Sequence, residues 1–128
     1  MRLLLDTHAF LWFVLNDPQL SAGAQSLLID PANDILVSPA SYWEIAIKVR
    51  LGKLDLHAPY DDFLLRGIVG NDFDILPIEP RHTSVLTSLP LYHRDPFDRL
   101  LIAQARIEAI PIVSMDAAFD LYGIRRLW

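Results

Sequence analysis

The chain has 128 residues, 52% of them hydrophobic, and a net charge of −5. That length fits one domain able to bury roughly 70% of its unfolded surface without covalent staples. The absence of cysteine excludes disulfides and thiolate-bound metals and fits a reducing compartment, and the acidic balance argues against a broad basic nucleic-acid surface.

Arg2 to Asp6 reads as a buried strand ending in an acid. Thr7 to Asn16 reads as a helix broken at Asp17-Pro18, and Ser21 to Asp30 as a second helix with a serine cap. Ile35 to Ser38 is the next strand. Ser38 caps a helix with Pro39 at its first position, running to about Leu51 and stopped by Gly52. Tyr60 to Val69 is expected to be helical, Phe73 to Ile78 a strand, and Pro80 to Ser88 a short helix. Asp95 caps a helix with Pro96 at its first position, lasting to about Ala109. Ile110 to Ser114 and Ile124 to Leu127 complete the strands. This alternation predicts an α/β domain over residues 1–128, with a mainly parallel sheet covered by helices on both faces. The apolar start, Met1 to Leu5, is cut short by Asp6 and His8 before a membrane span of ~20 residues, and no secretory leader is visible. A cytoplasmic location is expected.

Four acids fall in unusual places. In a parallel sheet the carboxyl ends share one edge, where ligands bind. Asp6 ends the first strand, and Asp116 follows Ser114 by two residues. If their strands are neighbours, about 4.8 Å apart, both acids reach one ion. The plainer alternative is that each caps the helix after it. Glu44 lies in the row Ala40, Glu44, Ile47, Leu51, which places a carboxylate on a core-facing stripe. Its alternative is a surface ion pair with Lys48, worth about 0.3–0.5 kcal/mol. Asp98 shares a stripe with Leu101, Ile102, Ala105 and Ala109. Its alternative is a favourable charge at a helix N-terminus, worth about 0.3–1 kcal/mol. Asp95 is read mainly as a cap.

Hard oxygen ligands of this kind suit Mg²⁺ or Mn²⁺. Neutralising four carboxylates takes the net charge from −5 to −1, and arginine outnumbers lysine nine to two. Arg94, Arg99, Arg125 and Arg126 are therefore candidates for local phosphate contacts. His8, His57, His82 and His93 show no paired ligand spacing and read as structural or surface residues, with His8 near enough to Asp6 to line a cleft. The five glycines do not cluster into a phosphate-binding loop.

Several segments in order carry a resemblance: Leu-Leu-Leu-Asp6-Thr7, Ser41-Tyr42-Trp43-Glu44-Ile45, the Leu51-Gly52-Lys53-Leu54 run, His93-Arg94-Asp95-Pro96-Phe97-Asp98-Arg99 continuing to Ala105, and Ser114-Met115-Asp116 with Phe119. The chain resembles the PIN-domain ribonucleases, especially the toxins of VapBC toxin–antitoxin pairs. The resemblance implies a PIN-like α/β/α sandwich with a five-stranded sheet of order 3-2-1-4-5. It places Asp6, Glu44, Asp98 and Asp116 in an acidic quartet, both catalytic and metal-binding, with Thr7 and Ser114 as hydroxyl neighbours. It further implies a divalent-metal-dependent endoribonuclease, the toxin of a pair, with a small antitoxin as partner and a homodimeric assembly. Trp12, Phe13, Trp43 and Trp128 add apolar material for such contacts.

Asp6 and Asp98 are expected to hold metal directly, and Glu44 and Asp116 directly or through water. Single-stranded RNA is the expected substrate, because a shallow cleft admits splayed strands better than a duplex. Two alternatives remain open. An aspartyl phosphatase-like hydrolase also begins with a strand ending in Asp, although it wants a second acid where His8 stands. A non-catalytic PIN-like interaction module is the other.

Overall fold

Leu3, Leu4 and Leu5 are each fully buried, which consecutive strand residues achieve only when both faces of their sheet are covered. The computed structural model describes all 128 residues. Its elements run β1 (Arg2–Leu5), α1 (Thr7–Val14), α2 (Ala22–Ile29), β2 (Asp34–Val37), α3 (Pro39–Arg50), α4 (Tyr60–Leu64), β3 (Asp74–Ile75), α5 (Pro80–Leu86), α6 (Pro96–Glu108), β4 (Ile112–Val113) and β5 (Arg126–Leu127). A π-helical turn, Leu65–Val69, follows α4, and a 3-10 helix, Ala117–Tyr122, separates β4 from β5. The five strands are all parallel, in the order β3-β2-β1-β4-β5. Both the α/β class and the strand order match expectation.

Alternation along the strands builds two cores. Leu3, Leu5, Ile35, Val37 and Val113 face Phe10, Leu28 and Phe63 from α1, α2 and α4. Leu4, Leu36 and Ile112 face Leu101, Ile102 and Ala105 of α6, with Phe119 and Tyr122 of the 3-10 helix. Each fully buried leucine contributes about 1.5–3 kcal/mol, so β1 anchors both layers. Phe13 lies against Phe73, with ring centroids 5.6 Å apart, so it belongs to packing within the chain and is not spare contact surface.

β4 and the two margin strands, β3 and β5, are shorter than their hydrophobic runs. Phe73–Ile78 yields two paired residues, Ile110–Ser114 yields two, and Ile124–Leu127 yields two. Pro77 and Pro111 interrupt two of these runs and have no amide to donate to a ladder, while short edge strands resist pairing with other chains.

α3 departs from the expected stripe in its second half. Ala40 and Glu44 are buried as expected, but Ile47 is 39% and Leu51 61% exposed. Twelve helical residues run about 18 Å, whereas a four-residue strand runs about 13 Å, so the last turn of α3 outreaches the sheet it packs on. It ends as its sequence requires: Gly52 takes φ +71°, its amide bonds the Val49 carbonyl, and the Lys53 amide bonds the Lys48 carbonyl.

Candidate metal centre

β1 and β4 are neighbours, with Leu5 opposite Val113, so the next residues, Asp6 and Ser114, meet at the carboxyl edge of the sheet. Asp6 is buried. Its Oδ1 accepts from the Ala9 amide at 2.7 Å, capping α1, and its Oδ2 accepts from the Ser114 hydroxyl. Ser114 Oγ in turn accepts from the Asp116 amide at 3.0 Å. Nearby, the buried Thr7 and Ser41 hydroxyls bond each other at 3.1 Å, joining α1 to α3. Burial pushes the Asp6 carboxyl upward. The Ser114 and Ala9 hydrogen bonds and the charge of His8 oppose that shift, while Asp116 adds to it.

Asp98 and Asp116 enter from helix starts. Asp95 caps α6 by accepting from the Phe97 and Asp98 amides at 2.9 and 3.0 Å, which fixes Asp98 in the first turn. Asp116 caps the 3-10 helix through the Ala118 amide at 2.9 Å. His93 Nε2 lies between them, 3.1 Å from Asp98 Oδ2 and 3.3 Å from Asp116 Oδ2. Since His93 Nδ1 accepts from the Asp95 amide at 3.2 Å, Nε2 carries the proton and donates toward both acids. Asp98 is pushed up to about 7, mainly by burial, then by the charges of Asp95, Glu44 and Asp6, with His93 opposing.

Glu44 completes the group from α3, which packs on α6. It is only 6% exposed. Its Oε2 pairs with Lys48 Nζ at 3.0 Å, so the i,i+4 pair forms, but from a buried carboxylate and not on the surface. Glu44 Oε1 is buried with no hydrogen-bond partner.

All four predicted acids thus gather at one end of the sheet, close enough for their charges to act on one another. The tightest set, with ligand atoms all within 4.8 Å, is His93, Asp98 and Asp116. His93, expected to be structural or surface-exposed, is half-buried and hydrogen-bonded to two of the acids, a place in the cluster that the sequence did not indicate. It sits in a loop with no periodicity to betray it, and the available signal was its place two residues before the Asp95 cap, where Nδ1 reaches the cap amide. Two expected phosphate contacts are also corrected. The Arg99 guanidinium is spent on the Leu89, Pro90 and His93 carbonyls, and Arg126 on Asp120 and the Ser114 carbonyl. Arg94 and Arg125 remain exposed.

The donor set is oxygen-rich, which suits a hard divalent cation. The unpartnered Glu44 Oε1 is the feature a cation explains, because a buried carboxylate oxygen lacking any partner costs several kcal/mol.

In a parallel α/β sheet the carboxyl edge, where these acids converge, is where ligands bind. The PIN-domain model matches residues 3–124, and the chain belongs to the PIN-domain family, a family of nucleases. No curated protein matches the sequence. Among solved structures it is similar to VapBC2 from Rickettsia felis bound to a DNA fragment from their promoter, at 18% identity and TM-score 0.69, covering 100% of both chains. It is also similar to FitAcB from Neisseria gonorrhoeae, at 19% identity and TM-score 0.66, covering 97% of this chain and 95% of that one. VapBC-1 from nontypeable Haemophilus influenzae aligns at 13% identity and TM-score 0.63, over 98% and 96% of the two chains.

Proposed function

We propose that this PIN domain is a divalent-metal-dependent endoribonuclease, the toxin of a toxin–antitoxin pair. The observation that carries the metal-dependent reading is the buried, unpartnered Glu44 Oε1 of a carboxylate near enough to Asp98 for their charges to interact. Asp6, Asp98, Asp116 and Glu44 would hold Mg²⁺ or Mn²⁺. Bound there, the ion supplies a water of lowered pKa and offsets charge on the phosphorane.

The residues themselves divide the remaining work. Ser114 orients Asp6 through its hydroxyl. The Asp95 cap holds Asp98 at the start of α6. His93 Nε2–H holds the Asp98 and Asp116 carboxylates in place through hydrogen bonds. An aspartyl-nucleophile phosphatase is less well served, because the second acid such chemistry wants two residues after Asp6 is His8 here.

The partner reading rests on the solved VapBC and FitAB complexes that share the fold. It also rests on Trp43, Ile47 and Leu51, three exposed apolar residues four apart on α3. A small antitoxin and a second copy of the chain are the proposed partners. A monomer in light scattering at tens of micromolar, about the range of weak association, would remove the dimer.

The decisive experiment incubates single-stranded RNA with the purified chain in Mn²⁺, in Mg²⁺ and in excess EDTA. Cleavage is expected only with metal, and Asp6→Ala and Asp98→Ala should abolish it. Cleavage that persists in EDTA, or in either variant, overturns the metal-dependent reading.

A further inference from the structure

Beside Asp116 lies a cleft of about 450 Å³ lined by His8, Trp12, Met115, Asp116 and Ala117, within the ~300–1,000 Å³ range of small-ligand sites. His8 and Trp12 sit four residues apart on one face of α1, their ring centroids 5.5 Å apart and their planes tilted by 41°. Trp12 is braced from behind by Trp128, edge-on at 6.0 Å. Met115, which links β4 to the 3-10 helix, leaves 53% of its surface exposed. His8 is exposed as well. None of these three side chains serves the acid cluster by hydrogen bonding, yet they adjoin it.

We propose that this cleft is a stacking slot for one unpaired nucleobase next to the scissile phosphate, with His8 and Trp12 supplying flat ring surface and Met115 the opposite wall. The inference rests on the ribonuclease reading above and names a contact that selects single-stranded substrate. A strand whose phosphate sits among the acids can send a neighbouring base past Asp116 into the cleft that His8 and Trp12 line. Every base has a π face, so such a slot holds splayed RNA without demanding one sequence. The thioether adds a polarizable contact for a ring. A duplex keeps its bases stacked inside and has none to offer.

His8→Ala is the clean test, because the side chain is exposed and its loss leaves the cores intact. It should lower kcat/KM for single-stranded RNA roughly 5- to 150-fold, the worth of one base–aromatic stack. His8→Phe keeps the ring and should retain most of the wild-type rate. An abasic residue at one position flanking the cleavage site should cost the wild type at least that factor and cost His8→Ala less, since only Trp12 remains to stack. A second readout does not need catalysis: stopped-flow mixing with a short RNA carrying 2-aminopurine at that position, in Mn²⁺ and before cleavage. Wild type and His8→Phe should quench its fluorescence to the same extent, and His8→Ala, which keeps only Trp12, should quench it less.

Equal rates and equal quenching for wild type and His8→Ala would overturn the slot and leave the cleft to a protein segment. A loss in His8→Phe matching that in His8→Ala would also overturn it, assigning His8 a charge effect on Asp6. His8-dependent quenching without cleavage by the wild type would sink the ribonuclease reading while the slot stands.

Discussion

Asp98 holds its proton far above the ordinary value of 3.8, up to about 7, because it is buried among Asp95, Glu44 and Asp6. Between those two pH values the folded chain binds more protons than the unfolded chain. Stability from this group therefore falls as pH rises through the window, and the penalty is complete above about 7. In EDTA, Asp98→Asn is expected to melt higher than wild type at pH 8, with the difference shrinking toward pH 4. A lower melting temperature at pH 8 would mean that Asp98 is a net stabiliser of its helix. Ser114 offers a second test. Its hydroxyl ties Asp6 to the Asp116 amide, the sort of supporting contact whose loss costs about 10–100-fold in metal affinity or activity. Ser114→Ala should show that loss in a Mn²⁺ titration, while Ser114→Thr, which keeps the hydroxyl, should not. Asp6, Glu44, Asp98 and Asp116 were legible because an acid at a strand end or on an apolar stripe contradicts its surroundings. His93 was not, since a loop histidine contradicts nothing until its neighbours are known.

The segment after α3 shows what periodicity leaves hidden. Tyr60–Val69 reads as a single helix, yet the chain changes at Leu65 to a π-helical turn. Gly67 lies within that turn, and a Cβ there would meet Phe10 Cζ at 2.9 Å and Val14 Cγ2 at 3.0 Å. Phe10 is fully buried and has little room to yield. Alanine gains about 1 kcal/mol of helix propensity over glycine, but overpacking a filled core costs about 1–3 kcal/mol. Gly67→Ala is thus expected to lower stability by up to about 2 kcal/mol net, seen as a lower urea midpoint with an unchanged slope. An unchanged or higher midpoint would show that α1 and the turn have freedom to separate. The helix starts at Ser38 and Asp95, by contrast, were readable to the residue. A cap followed by proline states its geometry locally, whereas a glycine's reason for being small is a long-range contact.

At the scale of the molecule, on the proposed ribonuclease reading, the net charge of −5 limits how RNA would be held. The parallel order β3-β2-β1-β4-β5 brings the acids to one edge, and that much follows from alternating strands and helices. Which arginines are free does not, because a guanidinium's partners lie far away in sequence. Arg99 and Arg126 are committed to carbonyls and to Asp120, and Arg125 lies at the opposite, amino edge of the sheet beside Arg106 and Pro111, which leaves Arg94 of the four candidates. A nuclease gripping RNA along a basic groove makes many phosphate contacts, and each contributes about −0.7 to the slope of log affinity against log salt for single strands. One contact gives a slope of about −0.7. Measured at fixed, saturating Mn²⁺ and subsaturating RNA, kcat/KM is expected to fall with added KCl at about that slope, and Arg94→Ala should make it shallower by about 0.7. A slope several times steeper would mean that affinity comes from a distributed basic surface. In that case the substrate would not be held chiefly by the metal-bound phosphate and its immediate neighbours.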